Sequence, residues 1–422
     1  MPRGIVKTAF LSLSVRNFRL FAAGQVLSVS GTWMMIVGQD WLVLSLTDSP
    51  GTALAAVTAA QFTPMLLLTL YGGRLADRHD KRHLLIRCNA ASGVVALGLG
   101  VLVATDAARM WHLLLFGCCL GTVNAVEVPT RMAFVGELVG PALLPNASAL
   151  SAAYFNVARV VGPAVAGLLI AVCGVGPLML LNAVSHLAVI AALRRMDPAA
   201  VLRVPPGAPG RVVDGLRYVR GRPDLVVTLT LVSCVAVFGM NFHLTLPLTA
   251  KTVFHAGPGT FGLLTTAFAL GSLAAALATT ARRTRPSARL VATTAVVFGA
   301  LETAAGRAPD YWSAAVLLAA TGCASIAFAQ AANHRVQLGS DPRYRGRVMA
   351  IYTLILQGST PIGAVLIGWL TTRLGSRAGL YAGGLLSLVS TLGVLLAAHA
   401  RRRHLRVRTE SERAQPAARH PR

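Results

Sequence analysis

Twelve mostly apolar runs, separated by short polar segments, fill the chain: about 19–46, 52–73, 84–104, 110–130, 146–173, 176–194, 225–249, 259–281, 290–306, 311–332, 347–371 and 379–399. A helix needs about 17–25 such residues to cross ~30 Å of hydrocarbon at ~1.5 Å per residue. The apolar/polar alternation of a lipid-facing barrel strand is missing, and hydrocarbon offers no partner to an open backbone group. The pattern predicts an all-α membrane protein with twelve transmembrane helices. The stretch before them, 1–18, is polar and basic. The first run is too long for a signal-peptide core and no small-residue cleavage site follows, so it reads as a retained span.

The longest polar stretch between runs, 195–224, divides them six and six. Its first part holds Pro205, Pro206, Gly207, Pro209 and Gly210, the composition of a linker. Its second part sets Val213, Leu216 and Val219 among arginines, which suits a short amphipathic helix on a membrane surface. Two six-helix bundles, 19–194 and 225–399, with a linker between them and a basic tail at 400–422, form the arrangement of a secondary transporter built from repeats. The repeat is faint in sequence. Basic segments follow span two (Arg74–Arg87) and span eight (Arg282–Arg289), and spans five and eleven each carry a proline followed by small residues.

Composition agrees with this reading. Of 422 residues 55% are hydrophobic and only 13% charged, against about 25% charged in a soluble domain. That excludes an ordinary soluble enzyme. A net charge of +24 would point to nucleic acid in a soluble protein, but here its placement decides. With both termini in the cytoplasm, 33 of the 39 basic residues fall in inner segments, five in outer loops, and Arg159 inside a span. Such asymmetry marks the cytoplasmic side. The expected location is the bacterial cytoplasmic membrane, with both termini inside and anionic lipid, not nucleic acid, beside the arginines. The six cysteines form no C-x-x-C, so neither a disulfide framework nor a metal site is expected.

The densest local motif is Gly72-Gly73-Arg74-Leu75-Ala76-Asp77-Arg78-His79-Asp80-Lys81-Arg82. The glycines permit close helix approach, and Asp77 can accept from exposed N–H groups at a neighbouring helix start. Gly73, Asp77, Arg78, Lys81 and Arg82 resemble the loop motif G-x-x-x-D-[RK]-x-G-[RK]-[RK] of the major facilitator superfamily. Asp80 replaces its second glycine, and Ala281–Arg285 lacks the acidic residue of a second copy. Gly162, Pro163 and Gly167 resemble part of a span-five motif of that superfamily's exporters and antiporters. Physically, Pro163 removes a backbone hydrogen bond and the glycines admit a close neighbour. Arg16–Leu20, Gln39–Leu44, Asn182–Ser185, Arg345–Met349 and Pro361–Gly363 are similar to the drug and siderophore exporter branch. The resemblance implies the twelve-helix fold of that superfamily, a monomer, and outward transport. Many proton-coupled members carry an arginine early in span four; 113–125 has none.

Span one carries two seven-residue stripes: Gly24, Gly31 and Gly38, and Gln25, Thr32 and Gln39. Seven residues are nearly two turns, so each set shares a face. The glycines suit tight packing; the polar set reads either as interhelical hydrogen bonding or as a cavity wall. Ionisable residues inside spans are costly and few. Asp40 reads as a binder of cationic substrate, a proton-exchanging group, or an outer helix anchor. Glu127 and Arg131, four apart, read as an ion pair. Arg159, one turn after Asn156, reads as a contact for anionic substrate or as a partner of Glu127. Glu302 is expected at the interface, His243 beside Asn241 as a satisfied interior histidine, and Gln357 as a cavity donor. No nucleotide-binding, zinc-hydrolase or serine-hydrolase signature occurs. The function predicted is therefore alternating-access export of an amphipathic small molecule (a drug, siderophore or natural product) against protons, with no catalytic residue, cofactor or metal. An importer or facilitator of the same fold is the alternative, and a membrane enzyme or receptor the remote one.

Overall fold

The computed structural model of the chain describes residues 10–202, 212–279 and 284–414. Part of the predicted N-terminal segment (1–9), most of the Pro/Gly linker (203–211), the end of predicted span eight with the basic segment after it (280–283), and the tip of the tail (415–422) lie outside the described residues.

The helices are α1 Arg16–Ser45, α2 Pro50–Arg78, α3 Lys81–Ala104, α4 Met110–Cys173, α5 Gly176–Arg194, α6 Val212–Arg220, α7 Pro223–Phe238, α8 Phe242–Leu248, α9 Pro258–Thr279, α10 Ala288–Gly306, α11 Tyr311–Gly339, α12 Arg345–Leu374 and α13 Ala378–Ala414. Eleven helical runs among the described residues are long and apolar enough to cross a membrane. One of them, α4, carries two of the predicted spans, 110–130 and 146–173. The polar loop expected at 131–145 is not there. The first arm runs on to Val139, and the chain turns at Gly140, whose φ of 71° and ψ of 173° are the only non-helical values inside α4. Pro141 follows; it lacks an N–H and steers the residue before it out of the helical region. Glycine alone takes that φ without strain.

Span seven departs from expectation in the opposite sense. The single run predicted at 225–249 is broken between Phe238 and Phe242, and a π-turn, Thr249–Val253, ends it. Asn241 sits in the break, and its Nδ2 donates to the Val237 and Phe238 carbonyls at 2.8 and 3.3 Å. A side chain replaces backbone donors that the break removes.

The glycine stripe of α1 packs as its spacing predicts. A Cβ on Gly24 would meet Val189 and Ala192, on Gly31 Asn182 and Ser185, and on Gly38 Val175, Leu178 and Met179, all on or beside α5. The repeat that is faint in sequence is plain in the crossings. Gly121, twelfth residue of α4, lies against the Gln61 carbonyl of α2, and Gly322, twelfth residue of α11, lies against the Phe268 carbonyl of α9. In both pairs a Cβ would overlap the facing backbone oxygen.

The cores show how the halves meet. One buried cluster draws only on the first half (Phe18, Phe21, Leu85, Phe134, Leu193) and another only on the second (Leu225, Val291, Phe298, Phe328, Val348). Two more join the halves: Val37, Ala166 and Ile170 with Leu246, Phe261 and Leu264, and Leu42, Val43 and Leu54 with Leu244, Leu248 and Ile367. Arg194 and Pro223 mark the linker end, and the joining clusters lie toward the opposite one, the far end. Among the described residues, hydrogen bonds between halves run from mid-span to that end. They are Thr52 to Thr372 (3.1 Å), Lys251 Nζ to the Leu44 carbonyl (2.5 Å), Thr266 to the Val160 carbonyl (3.2 Å) and Gln357 to Met65 Sδ (3.8 Å).

At the linker end each half closes on itself. Lys81 pairs with Glu137 at 2.7 Å, Arg82 donates to the Leu193 and Arg194 carbonyls, and Asn17 clasps the backbone of Asp197 from both sides. In the second half Arg285 pairs with Asp224 at 2.7 Å and Arg335 donates to the Pro286 carbonyl at 2.9 Å. The halves are therefore joined at the far end, whereas the bonds just described at the linker end each stay within one half. The amphipathic segment forms α6, whose Tyr218 stacks on Tyr344 at 4.6 Å. At the far end Asp310 caps α11, and the N–H and hydroxyl of Ser313, with the Trp312 N–H, hold its carboxyl below the usual range.

Candidate functional site

A cavity of about 260 Å³ lies between the halves. From α1 it takes Trp33, Ile36, Val37 and Asp40, spaced so that one helical face points into it, and from α4 it takes Arg159. The second half supplies Met240, Phe242, His243, Leu246, Phe261, Phe268, Ile326 and Leu356. The break in span seven puts Met240, Phe242 and His243 on this wall.

Arg159 is held by rings. Its guanidinium carbon lies 5.5 Å from the Trp33 ring centroid and 5.7 Å from that of Phe268, within the range of cation–π attraction. The expected alternative, a pair with Glu127, does not form. Glu127 lies 13 residues before the Gly140 turn and Arg159 19 after it. Six residues of helix offset them by about 9 Å along the axis. Glu127 instead pairs with Arg131 at 3.6 Å, and Arg131 also donates to Gln25 Oε1 at 3.4 Å. Arg159 thus reaches the cavity with no carboxylate partner among the described residues.

His243 stacks on Trp33 with ring centroids 6.2 Å apart. Asp40 and His243 also border a smaller cavity of about 40 Å³ with Ile36, Gln39, Thr58, Gln61 and Phe62. Asp40 stands where the two cavities adjoin and forms no ion pair among the described residues. It therefore borders both cavities.

Of the residues predicted for the site, Asp40, Arg159 and His243 meet on one cavity, and Gln39 on its annex. The others do not line it. Gln25 engages Arg131, Thr32 bonds the Ser28 carbonyl, Asn156 bonds the Ala152 carbonyl, Asn241 caps the broken span, and Gln357 reaches Met65. The polar stripe of α1 is therefore divided, only Gln39 serving as cavity wall. The aromatic residues Trp33, Phe242 and Phe268 were not singled out by sequence. For Trp33 the signal was its spacing with Ile36, Val37 and Asp40; Phe242 and Phe268 carried none.

The basic loop motif is laid out differently from expectation. Gly72, not Gly73, makes the close approach: a Cβ there would strike the Ala125 carbonyl, whereas one on Gly73 meets nothing within 4 Å. Asp80 fits its position without strain (φ −61°, ψ 115°) and caps α3 through the His83 N–H at 2.9 Å. Lys81 and Arg82 are tied to Glu137 and to α5. Asp77 and Arg78 line a polar cavity of about 250 Å³ with Glu137; no bond from Asp77 to a helix start occurs among the described residues. In the span-five motif, Gly162 faces Trp33, and Gly167 and the Pro163 carbonyl meet Gly262 of α9. That motif therefore seals one side of the contact between halves. Glu302, expected at the interface, is 2% exposed; α7 and α13 cover it.

Comparison with known proteins agrees with this architecture. A family described as transmembrane secretion effector, of the major facilitator superfamily, matches residues 7–419. The chain is 26% identical over 266 residues to the staphyloferrin A transporter of Staphylococcus aureus, an alignment spanning 61% of this chain and 66% of that protein. It is 26% identical over 379 residues to the multidrug efflux pump Tap of Mycobacterium tuberculosis, covering 85% and 87%. It is 24% identical over 385 residues to the enterobactin exporter EntS of Shigella flexneri, covering 90% of each. Among solved structures, a bacterial homologue of the human lysosomal transporter Spinster, inward-facing and occupied, superposes with a TM-score of 0.67 at 15% identity, covering 91% of this chain and 96% of that one.

Proposed function

The chain belongs to the transmembrane secretion effector family of the major facilitator superfamily, and from that premise we propose that it exports an amphipathic small molecule from the bacterial cytoplasm in exchange for protons. The observation that carries the reading is the cavity between the halves, walled by rings and aliphatic chains and containing one carboxyl, one guanidinium and one imidazole. An apolar wall accepts many lipophilic bodies, and the few polar groups orient them. Arg159, lacking a carboxylate partner, suits an acceptor or anionic group on the cargo. Asp40, between cavity and annex, suits a proton that leaves when cargo enters.

The direction rests on the arginine distribution, which sets the linker end in the cytoplasm. The end opposite the joined clusters then faces the cytoplasm, where an exporter loads. Rocking of the halves about the cavity would part Thr52 from Thr372 and release cargo outward. The family and its relatives are transporters, so no enzymatic role is assigned. The relatives named for efflux or for siderophores favour a drug or siderophore-like cargo. The chain acts as a monomer in this scheme.

Proteoliposomes holding the purified protein and a fluorescent lipophilic probe test the proposal. An imposed pH gradient is expected to drive probe movement several-fold above the rate in protein-free vesicles, and collapsing the gradient with an ionophore should remove the excess. Movement unchanged by collapse contradicts proton exchange.

A further inference from the structure

Behind the central cavity, inside the second half, lies a carboxyl group that the proposed cycle does not use. Glu302 of α10 is buried, and its Oε2 has no hydrogen-bond partner. The Ser387 and Thr391 hydroxyls of α13 are likewise buried and unpartnered. Several other buried hydroxyls return to the carbonyl four residues back, as Ser272, Thr279 and Ser359 do. Ser387 and Thr391 forgo that bond.

These groups converge on the break in span seven. A Cβ on Gly239 would lie 2.7 Å from both Glu302 Oε2 and Ser387 Oγ, and one on Gly383 would lie 3.3 Å from Glu302 Oε1. Two glycines, Gly239 in the break and Gly383 on α13, thus leave room for the carboxyl. Thr391 is one turn beyond Ser387 on the same face of α13, toward the linker end. The other side of the break, Met240 and His243, is cavity wall.

The remaining titratable groups lie elsewhere. On α7, Asp224 is about four turns away and tied to Arg222 and Arg285, and Cys234 is apart from it. On α11, Tyr311 bonds the Thr260 carbonyl and Arg335 the Pro286 carbonyl; Cys323 and His334 form no bond with Glu302. On α13, Tyr381 lies under the Arg307 guanidinium at 5.7 Å. No basic side chain among the described residues balances Glu302. A lone carboxylate buried in a membrane protein is strongly disfavoured, and a proton is the occupant that needs no added volume.

We propose that Glu302 is a second proton-binding site, seated behind the cavity beside the Ser387 hydroxyl, which takes up and releases its proton as the span-seven break moves. No bond other than the carboxyl O–H forms or breaks. Its use in transport rests on the proton-exchange reading above; its occupancy does not.

Infrared difference spectra of the reconstituted full chain, recorded across a pH titration in choline and again in sodium buffer, test occupancy. The expected result is a protonated-carboxyl C=O band that titrates, is lost in Glu302→Gln, and shifts in Ser387→Ala, which removes only the neighbouring hydroxyl. The band should be the same in both buffers. A Glu302 that stays ionised throughout, or a band unaltered by both variants, overturns the proposal. Sodium abolishing the band would make this a metal-cation site and also overturn it. Transport is read separately. Glu302→Gln should lose at least about tenfold in gradient-driven movement while keeping probe exchange at zero gradient, and full driven transport by this variant refutes the coupling role. If wild type shows no gradient dependence while the band behaves as expected, the proton-exchange reading fails and the site stands.

Discussion

Asp40→Asn is expected to reduce gradient-driven transport about tenfold or more, with fluorescent-probe binding changed by no more than a few-fold. Asparagine keeps the size and hydrogen-bonding reach of the side chain but holds no exchangeable carboxyl proton. Proton transfer needs a titrating group at the right place before it needs anything else, and Asp40 is the carboxyl bordering both cavities. Binding should persist because the wall is mostly Trp33, Phe242, Phe261, Phe268 and aliphatic chains. Initial rates and equilibrium binding on the same preparation separate the two effects. Wild-type driven rates in Asp40→Asn would remove the residue from the mechanism.

Gly322→Ala is expected to destabilise the chain by about 3 kcal/mol, the upper end of overpacking costs, whereas Gly98→Ala should be neutral or stabilise it by up to about 1 kcal/mol through helix propensity. Both glycines are inside helices. They differ in what a methyl group meets: the Phe268 carbonyl of α9 at Gly322, and nothing within 4 Å at Gly98. A backbone oxygen cannot rotate aside, so α9 and α11 must separate. The equivalent crossing of α2 and α4 makes Gly121→Ala a second instance of the same loss. Melting temperatures and folded yield in one detergent give the comparison. Equal stability of the Gly322 and Gly98 variants would mean that the crossings are not tight.

The spans were legible because hydrocarbon imposes one requirement, a long apolar helix, and the chain states it twelve times. The glycine stripe of α1 was legible for the same reason of simple periodicity. Breaks were not. Gly140-Pro141 carries a local signal, but in a polar stretch it reads equally as loop, and only φ at Gly140 shows a helix resuming at once. Gly239 and Asn241 look like ordinary residues of an apolar run. The side chains beside Gly239, Glu302 and Ser387, come more than 60 and about 150 residues later. The cavity was half legible: cost marks out buried charges such as Asp40 and Arg159, but apolar rings are common in every span and identify no site until helices are placed. In the basic loop the partners of Lys81 and Arg82, Glu137 and the end of α5, come about 56 and 111 residues later and were not legible.

Alternating access itself is tested by locking the far end. Thr52→Cys and Thr372→Cys, in a chain whose six native cysteines are replaced, put two thiols where hydroxyls now lie 3.1 Å apart. Oxidation to the disulfide should stop gradient-driven transport, leave probe binding from the linker side intact, and be reversed by reductant. Transport at the unlocked rate by fully cross-linked protein would show that the halves need not part at that end, and would contradict the account.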